Sequence, residues 1–123
     1  MGDSLDGDRL GDDPVATWDG AAAAARKAFH ARGALDRTVE LSFGSTAADA
    51  YCAQMTADAV VHAWDLARAI GADEHPPKAL VDFTGKELGP YIDDLSGTGL
   101  FAAPVRPPAG ADDWQKLLAR LGR

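Results

Sequence analysis

Three residues of this 123-residue chain are best placed to do chemistry together: Asp58, His62 and Asp65. Spacings of four and three put their side chains on one face of a helix, with Asp58 and His62 one turn apart. A carboxylate and an imidazole stacked this way can present two donors to a single metal ion. The same two groups can instead form a buried hydrogen-bonded couple in which the carboxylate orients the ring. Asp65 suits a third ligand, a supporting partner behind the histidine, or an ion-pair partner for Arg68.

Other reactive side chains are scattered. His30 falls at the edge of a helical apolar face, where it reads as half-exposed and structural, or as a substitute ligand. His75 precedes Pro76 in a turn and is expected to face solvent. Cys52 lies off the centre of the ligand face and reads as core rather than nucleophile. Trp18, Trp64 and Trp114 all fall on apolar faces, so packing is their expected role. Asp93 and Asp94 are adjacent and point apart on a helix, which suits solvated carboxylates and not an acid/base dyad. The sequence holds no Gly-rich phosphate loop, no Ser/His/Asp set and no CxxC.

The elements that must position Asp58 and His62 are legible from periodicity. Residues 1–13, rich in Gly and Asp, read as a flexible acidic arm, and residues 14–123 as a helical domain. Asp12 or Asp13 can cap a first helix with Pro14 in its first turn. Val15, Trp18, Ala22, Ala25 and Phe29 give that helix an apolar stripe, and Gly33 is placed to stop it. Thr38 to Phe43 alternates as one short strand or half-hairpin ending at Gly44, with no evident partner. Ser45 or Thr46 can then cap the longest helix, roughly from Ala47 to Ile70. On it Tyr51, Met55, Asp58, His62, Asp65 and Ala69 form a seam expected to be buried. Leu80 to Leu95 predicts a further amphipathic helix, kinked or divided at Gly89-Pro90. Ser96 to Gly110 is an irregular connection, and Asp112 caps a last helix carrying Trp114, Leu117, Leu118 and Leu121.

Composition narrows the function classes. A formal net charge of −7 repels phosphate backbones and counts against nucleic acid as a partner. No apolar run approaches the ~20 residues needed to span a bilayer, so no membrane role is expected. An acidic, polar start argues against a secretory signal, and Cys52 as the one cysteine suits a reducing cytoplasm.

The central segment Asp58-x3-His62-x-Trp64-Asp65-Leu66-Ala67-Arg68-Ala69 resembles the signature of an actinobacterial family of DinB-like metal-binding proteins. These are relatives of the mycothiol-dependent maleylpyruvate isomerase metal-binding domain. Gly33-Ala34-Leu35-Asp36-Arg37-Thr38-Val39 with Phe43-Gly44, the Gly97-to-Pro108 linker and Leu117-Leu118-Ala119-Arg120-Leu121-Gly122-Arg123 extend the resemblance from about Asp12 to Arg123. It implies a mainly α fold, part of a DinB-like four-helix bundle, with Asp58 and His62 as ligands of one divalent metal, zinc or nickel. It also implies mycothiol or another low-molecular-weight thiol as cofactor and, in an active member, thiol-dependent transfer or isomerisation. The family pattern begins two helices earlier and carries a further histidine ligand there. The expectation is therefore a truncated bundle, about two-thirds of the family fold. A homodimer or a separately encoded N-terminal half would complete it. The alternative expectation is a non-catalytic helical module for self-association or docking, without a complete metal site.

Overall fold

The computed structural model describes residues 9–123, so most of the acidic arm expected over residues 1–13 lies outside the described residues. The described chain is mainly helical and holds one two-stranded antiparallel sheet. It divides into two compact units, one ending at Asp49 and the other spanning Ala50–Arg123.

In the first unit, residues 9–13 lead into helix α1 (Pro14–His30). The Asp13 carboxylate accepts from the Ala16 N–H at 3.0 Å, and Pro14 occupies a first-turn position that needs no donor. The Thr17 hydroxyl donates to the Leu10 carbonyl at 2.9 Å, tying the approach segment to the helix. The expected apolar stripe is present in sequence, and none of its residues on α1 is buried among the described residues. Strands β1 (Thr38–Leu41) and β2 (Gly44–Ala47) then pair antiparallel, with Thr38 opposite Ala47 and Leu41 opposite Gly44.

This hairpin corrects two expectations. The strand does have a partner, supplied by the residues immediately after it, and Phe43 lies in the two-residue turn with 78% of its surface exposed. Ser45 and Thr46 accordingly belong to β2 and do not cap the next helix; the Ser45 hydroxyl donates across the pair to the Glu40 carboxylate. The partner was hard to see because Gly44-Ser45-Thr46-Ala47 has a single β-branched residue and no bulky apolar group.

Helix α2 (Ala48–Ile70) begins at the end of the first unit and runs through the second. Within the second unit its buried residues are Ala57, Val60 and Val61, with Trp64 packed beside them. Spacings of three and four make these one stripe, which meets Leu88, Ile92, Trp114, Leu117, Leu118 and Leu121 in the core. The buried face of α2 is thus the Ala57/Val60/Val61 face, and the seam through Asp58 and His62 lies at the surface. Bulk explains the outcome, since Val60, Val61 and Trp64 bring more apolar area than Met55 and Ala69 flanking three ionisable groups.

Helix α3 (Lys78–Leu88) starts after Pro77 and stops at Gly89, whose N–H donates to the Gly85 carbonyl at 2.9 Å. Pro90 offers no N–H to continue the ladder, so the chain resumes as a 3₁₀ segment, Ile92–Thr98. The long helix expected over this region is therefore divided. Helix α4 (Asp113–Arg120) opens with a capping box: the Asp112 carboxylate accepts from the Gln115 N–H at 2.8 Å, and the Gln115 amide oxygen accepts from the Asp112 N–H at 3.0 Å. After α4 the backbone turns at Gly122 with φ +77°, where a Cβ would meet Ala102 at 2.7 Å. Only glycine allows this close, left-handed turn. The neighbouring Val105 N–H donates to the Ala119 carbonyl at 2.8 Å. No described helix is long and apolar enough to cross a membrane.

Candidate functional site

Asp58, His62 and Asp65 come together on the exposed side of α2. His62 lies between the two carboxylates: Nε2 is 3.3 Å from Asp58 Oδ1, and Nδ1 is 3.1 Å from Asp65 Oδ2. About half of each of these two side chains is open to solvent, 50% for Asp58 and 59% for His62, so neither is the buried group the periodicity predicted.

Behind Asp65 stands a residue that sequence spacing did not reveal. Arg123 donates from Nε to Asp65 Oδ1 and from Nη2 to Asp65 Oδ2, both at 2.8 Å, while its Nη1 donates to the Leu121 carbonyl at 3.3 Å. Its side chain is only 19% exposed, and its guanidinium lies 5.6 Å from the centre of the Phe101 ring. The Gly122 turn delivers Arg123 to this position from the end of α4. Nothing in the sequence separates Arg123 from other basic residues, because its partner is 58 positions away.

The electrostatics follow from that fork. Arg123's hydrogen bonds hold the Asp65 carboxyl below its ordinary value of 3.8, against an opposing push from burial, and the His62 bond adds to the lowering. Asp65 is therefore an ionised acceptor. To bond it, His62 Nδ1 must carry the hydrogen, which leaves Nε2 as the nitrogen facing Asp58. Asp65 spends both oxygens on Arg123 and His62, so it supports the ring from behind and does not face the gap between Nε2 and Asp58.

The other candidates are placed elsewhere. Arg68 does not pair with Asp65; it reaches Glu74 at 3.3 Å and lies 5.5 Å from the Trp64 ring centre. His75 is 72% exposed, with Asp112 at 3.8 Å, and Asp93 accepts from Arg120 at 2.9 Å. His30 ends α1 in the first unit. Cys52 is a free, half-buried thiol.

The donor set can be tested against a metal ion. With bonds of ~2.0–2.2 Å and tetrahedral angles, two ligands of zinc lie ~3.3–3.5 Å apart. The Asp58–His62 separation of 3.3 Å matches that span. A third donor is missing: among the described residues no group of three or more His, Cys, Asp or Glu side chains is arranged to hold one ion. Among the described residues Asp58 and His62 supply two facing donors and no third.

Beside Asp58 lies a cavity of about 340 Å³, bordered also by Gln54, Val61, Leu88, Tyr91 and Phe101. The Tyr91 phenol is pushed above its ordinary value of 10.0 by burial first, then by the negative charges of Glu87 and Asp58. Comparison with family models, curated proteins and solved structures yields no match to this chain.

Proposed function

We propose that Asp58 and His62 bind a divalent metal ion, zinc or nickel, in an open site whose remaining positions are filled from outside the pair. One observation carries the reading. His62 Nδ1 lies 3.1 Å from Asp65 Oδ2 and its Nε2 faces Asp58 Oδ1 at 3.3 Å, so one imidazole is held between two carboxylates. Something electropositive belongs between Nε2 and Asp58, a cation or a second ring proton. The order Arg123, Asp65, His62, Nε2 is that of a carboxylate–histidine–metal relay, in which the rear carboxylate fixes the tautomer and raises the basicity of the ligating nitrogen. Imidazole and carboxylate accept zinc or nickel alike.

The motif resemblance extends the proposal to a thiol-dependent transferase or isomerase that uses mycothiol or another small thiol. A bound divalent ion would lower the pKa of such a thiol and stabilise its nucleophilic thiolate. The chain's own part is narrower: Arg123 holds Asp65, Asp65 holds the Nδ1 hydrogen, and Asp58 with His62 keeps two donors at fixed spacing.

Calorimetric titration with zinc and with nickel tests the site. Asp58→Ala and His62→Ala should each lower affinity at least tenfold, and Arg123→Met should weaken it by roughly tenfold through the ring's orientation. Equal uptake by wild type and His62→Ala would remove the site.

A second reading is favoured by α1. Val15 and Trp18 are 70% and 72% exposed, on a helix with no buried residue. An apolar stripe of this kind suits a self-association or docking module that receives a second copy or another helical chain. Sedimentation across a dilution series decides it; a monomer at every concentration, unchanged by Trp18→Ala, counts against it.

A further inference from the structure

Two stripes of side chains border the cavity beside Asp58. Gln54, Asp58 and Val61 follow one another at spacings of four and three along α2. Leu88, Tyr91 and Leu95 run from the end of α3 into the 3₁₀ segment, and Met55 and Phe101 complete the wall. Val61 and Leu88 are buried and form an apolar floor, whereas Asp58 is half-exposed and stands at the rim. An apolar cavity of about 150 Å³ already holds benzene, so about 340 Å³ takes a ring with a short chain attached. All of these residues belong to the second unit, and their elements are joined through its core.

The polar end of this cavity has one sign. Asp58 is the one formally charged residue on the wall, and Gln54 and Tyr91 can each add an oxygen acceptor beside it. The charges that hold the Tyr91 phenol above its ordinary value are both negative, those of Glu87 and Asp58. Arg123 bonds elsewhere: Nε and Nη2 are spent on Asp65, and Nη1 on the Leu121 carbonyl. The carboxylates of Asp58, Asp65 and Glu87 thus outnumber the Arg123 guanidinium, and still do if the His62 ring carries a proton. An anion at the rim would be repelled, and an uncharged ligand would leave the excess uncompensated. We infer that the cavity receives a small primary arylalkylammonium ion, its ring beside Tyr91 and Phe101 and its N–H groups toward Asp58 and Gln54. Aromatic walls suit the ring, and three N–H donors suit the oxygen acceptors at the rim. The inference goes beyond the metal reading and does not rest on it, because the carboxylate and the cavity wall recognise this ligand unaided.

The test titrates the full chain calorimetrically with 2-phenylethylamine, 2-phenylethanol, 3-phenylpropanoate and methylamine. Every titration contains EDTA, and pH 8 keeps a primary alkylamine protonated, as it does a lysine side chain of ordinary pKa ~10.4. Phenylethylamine should bind roughly fivefold or more tightly than the alcohol or the carboxylate, the worth of one partly exposed charge pair. It should exceed methylamine by roughly tenfold or more, because only the larger ion fills the cavity. Added salt should weaken the amine and leave the alcohol unchanged. Asp58→Asn keeps the side-chain shape and should bring the amine down to about the affinity of the alcohol. Met55 is 41% exposed at the cavity edge, so Met55→Trp should fill the space without disturbing the fold, as circular dichroism will verify. That variant should lose roughly fivefold or more for amine and alcohol alike.

Several results overturn the inference. Alcohol or carboxylate binding as tightly as the amine would reduce the site to an apolar cleft without charge selection. Methylamine binding as tightly as phenylethylamine would leave the carboxylate without the cavity. Undiminished amine binding by Asp58→Asn or by a folded Met55→Trp, or no binding of any probe to wild type, refutes it as well. Zinc uptake, measured on separate samples free of EDTA, bears on the metal reading alone, so either reading can fail while the other stands.

Discussion

Replacing Arg123 by methionine and Asp65 by asparagine, singly and together, isolates the contact on which the candidate site leans. Methionine keeps much of the arginine's length and packing while removing the guanidinium. The pair consists of two charge-assisted hydrogen bonds at 2.8 Å, with 19% exposure on the arginine and 36% on the aspartate. Buried bonds of this type contribute about 1.5–3 kcal/mol, whereas fully exposed ion pairs contribute about 0–1 kcal/mol. Partial screening puts the expected coupling between them, at about 1–2 kcal/mol. Urea unfolding of the four proteins at pH 7 gives it as a double-mutant cycle. The pH dependence has a definite sign. Arg123 lowers the Asp65 carboxyl below 3.8 in the folded chain, so the unfolded chain takes up the proton first as acid is added. The stabilisation is complete above that unfolded value and drains away as pH falls through the lower folded one. The stability gap between wild type and Arg123→Met should therefore be constant near neutrality and close below about pH 3.8. A coupling under about 0.3 kcal/mol, or a gap that widens in acid, would refute the buttress.

Three further outcomes are expected. Gly122→Ala puts a Cβ 2.7 Å from Ala102 at a φ of +77° and should destabilise the chain by roughly 2–3 kcal/mol, read as a lowered Tm. Thr84→Val should be neutral or stabilising by up to about 1 kcal/mol, because the Thr84 hydroxyl is fully buried with no hydrogen-bond partner among the described residues; chemical denaturation checks this. Tyr91 ionises later in the folded chain than its ordinary value of 10.0, so its burial makes stability fall as pH rises above 10.0, until the folded value is passed. Tyr91→Phe should flatten that alkaline slope.

Short-range signals were the readable ones. Asp13 and Asp112 are short polar residues directly before helical periodicity, and both cap as their positions imply. Gly89-Pro90 divides a helix because a missing N–H has the same effect in any tertiary setting. The spacing of Asp58, His62 and Asp65 placed them on one face because helix geometry alone decides that. Which face of α2 is buried was not readable from spacing, since it depends on what Leu88, Ile92 and α4 bring to Val60 and Val61. The second strand was hidden because its residues carry little β-propensity and form it through register with Thr38–Leu41. Arg123 was hidden for the same kind of reason: its role exists only once α4 and Gly122 have returned the chain to α2.

That last contact ties the surroundings of His62 to the docking of α4. If α4 lifts away from the core, Arg123 leaves Asp65, and His62 loses the acceptor that fixes its tautomer. Whatever free energy orients the ring is then shared with the packing of Trp114, Leu117 and Leu118. Thermodynamic linkage makes the exchange reciprocal: an ion bound at Asp58 and His62 as proposed would lower the equilibrium for local opening of α4 by the same factor by which a docked α4 tightens the ion. Amide hydrogen exchange in Asp113–Arg120 would then report occupancy of a site that none of those residues touches.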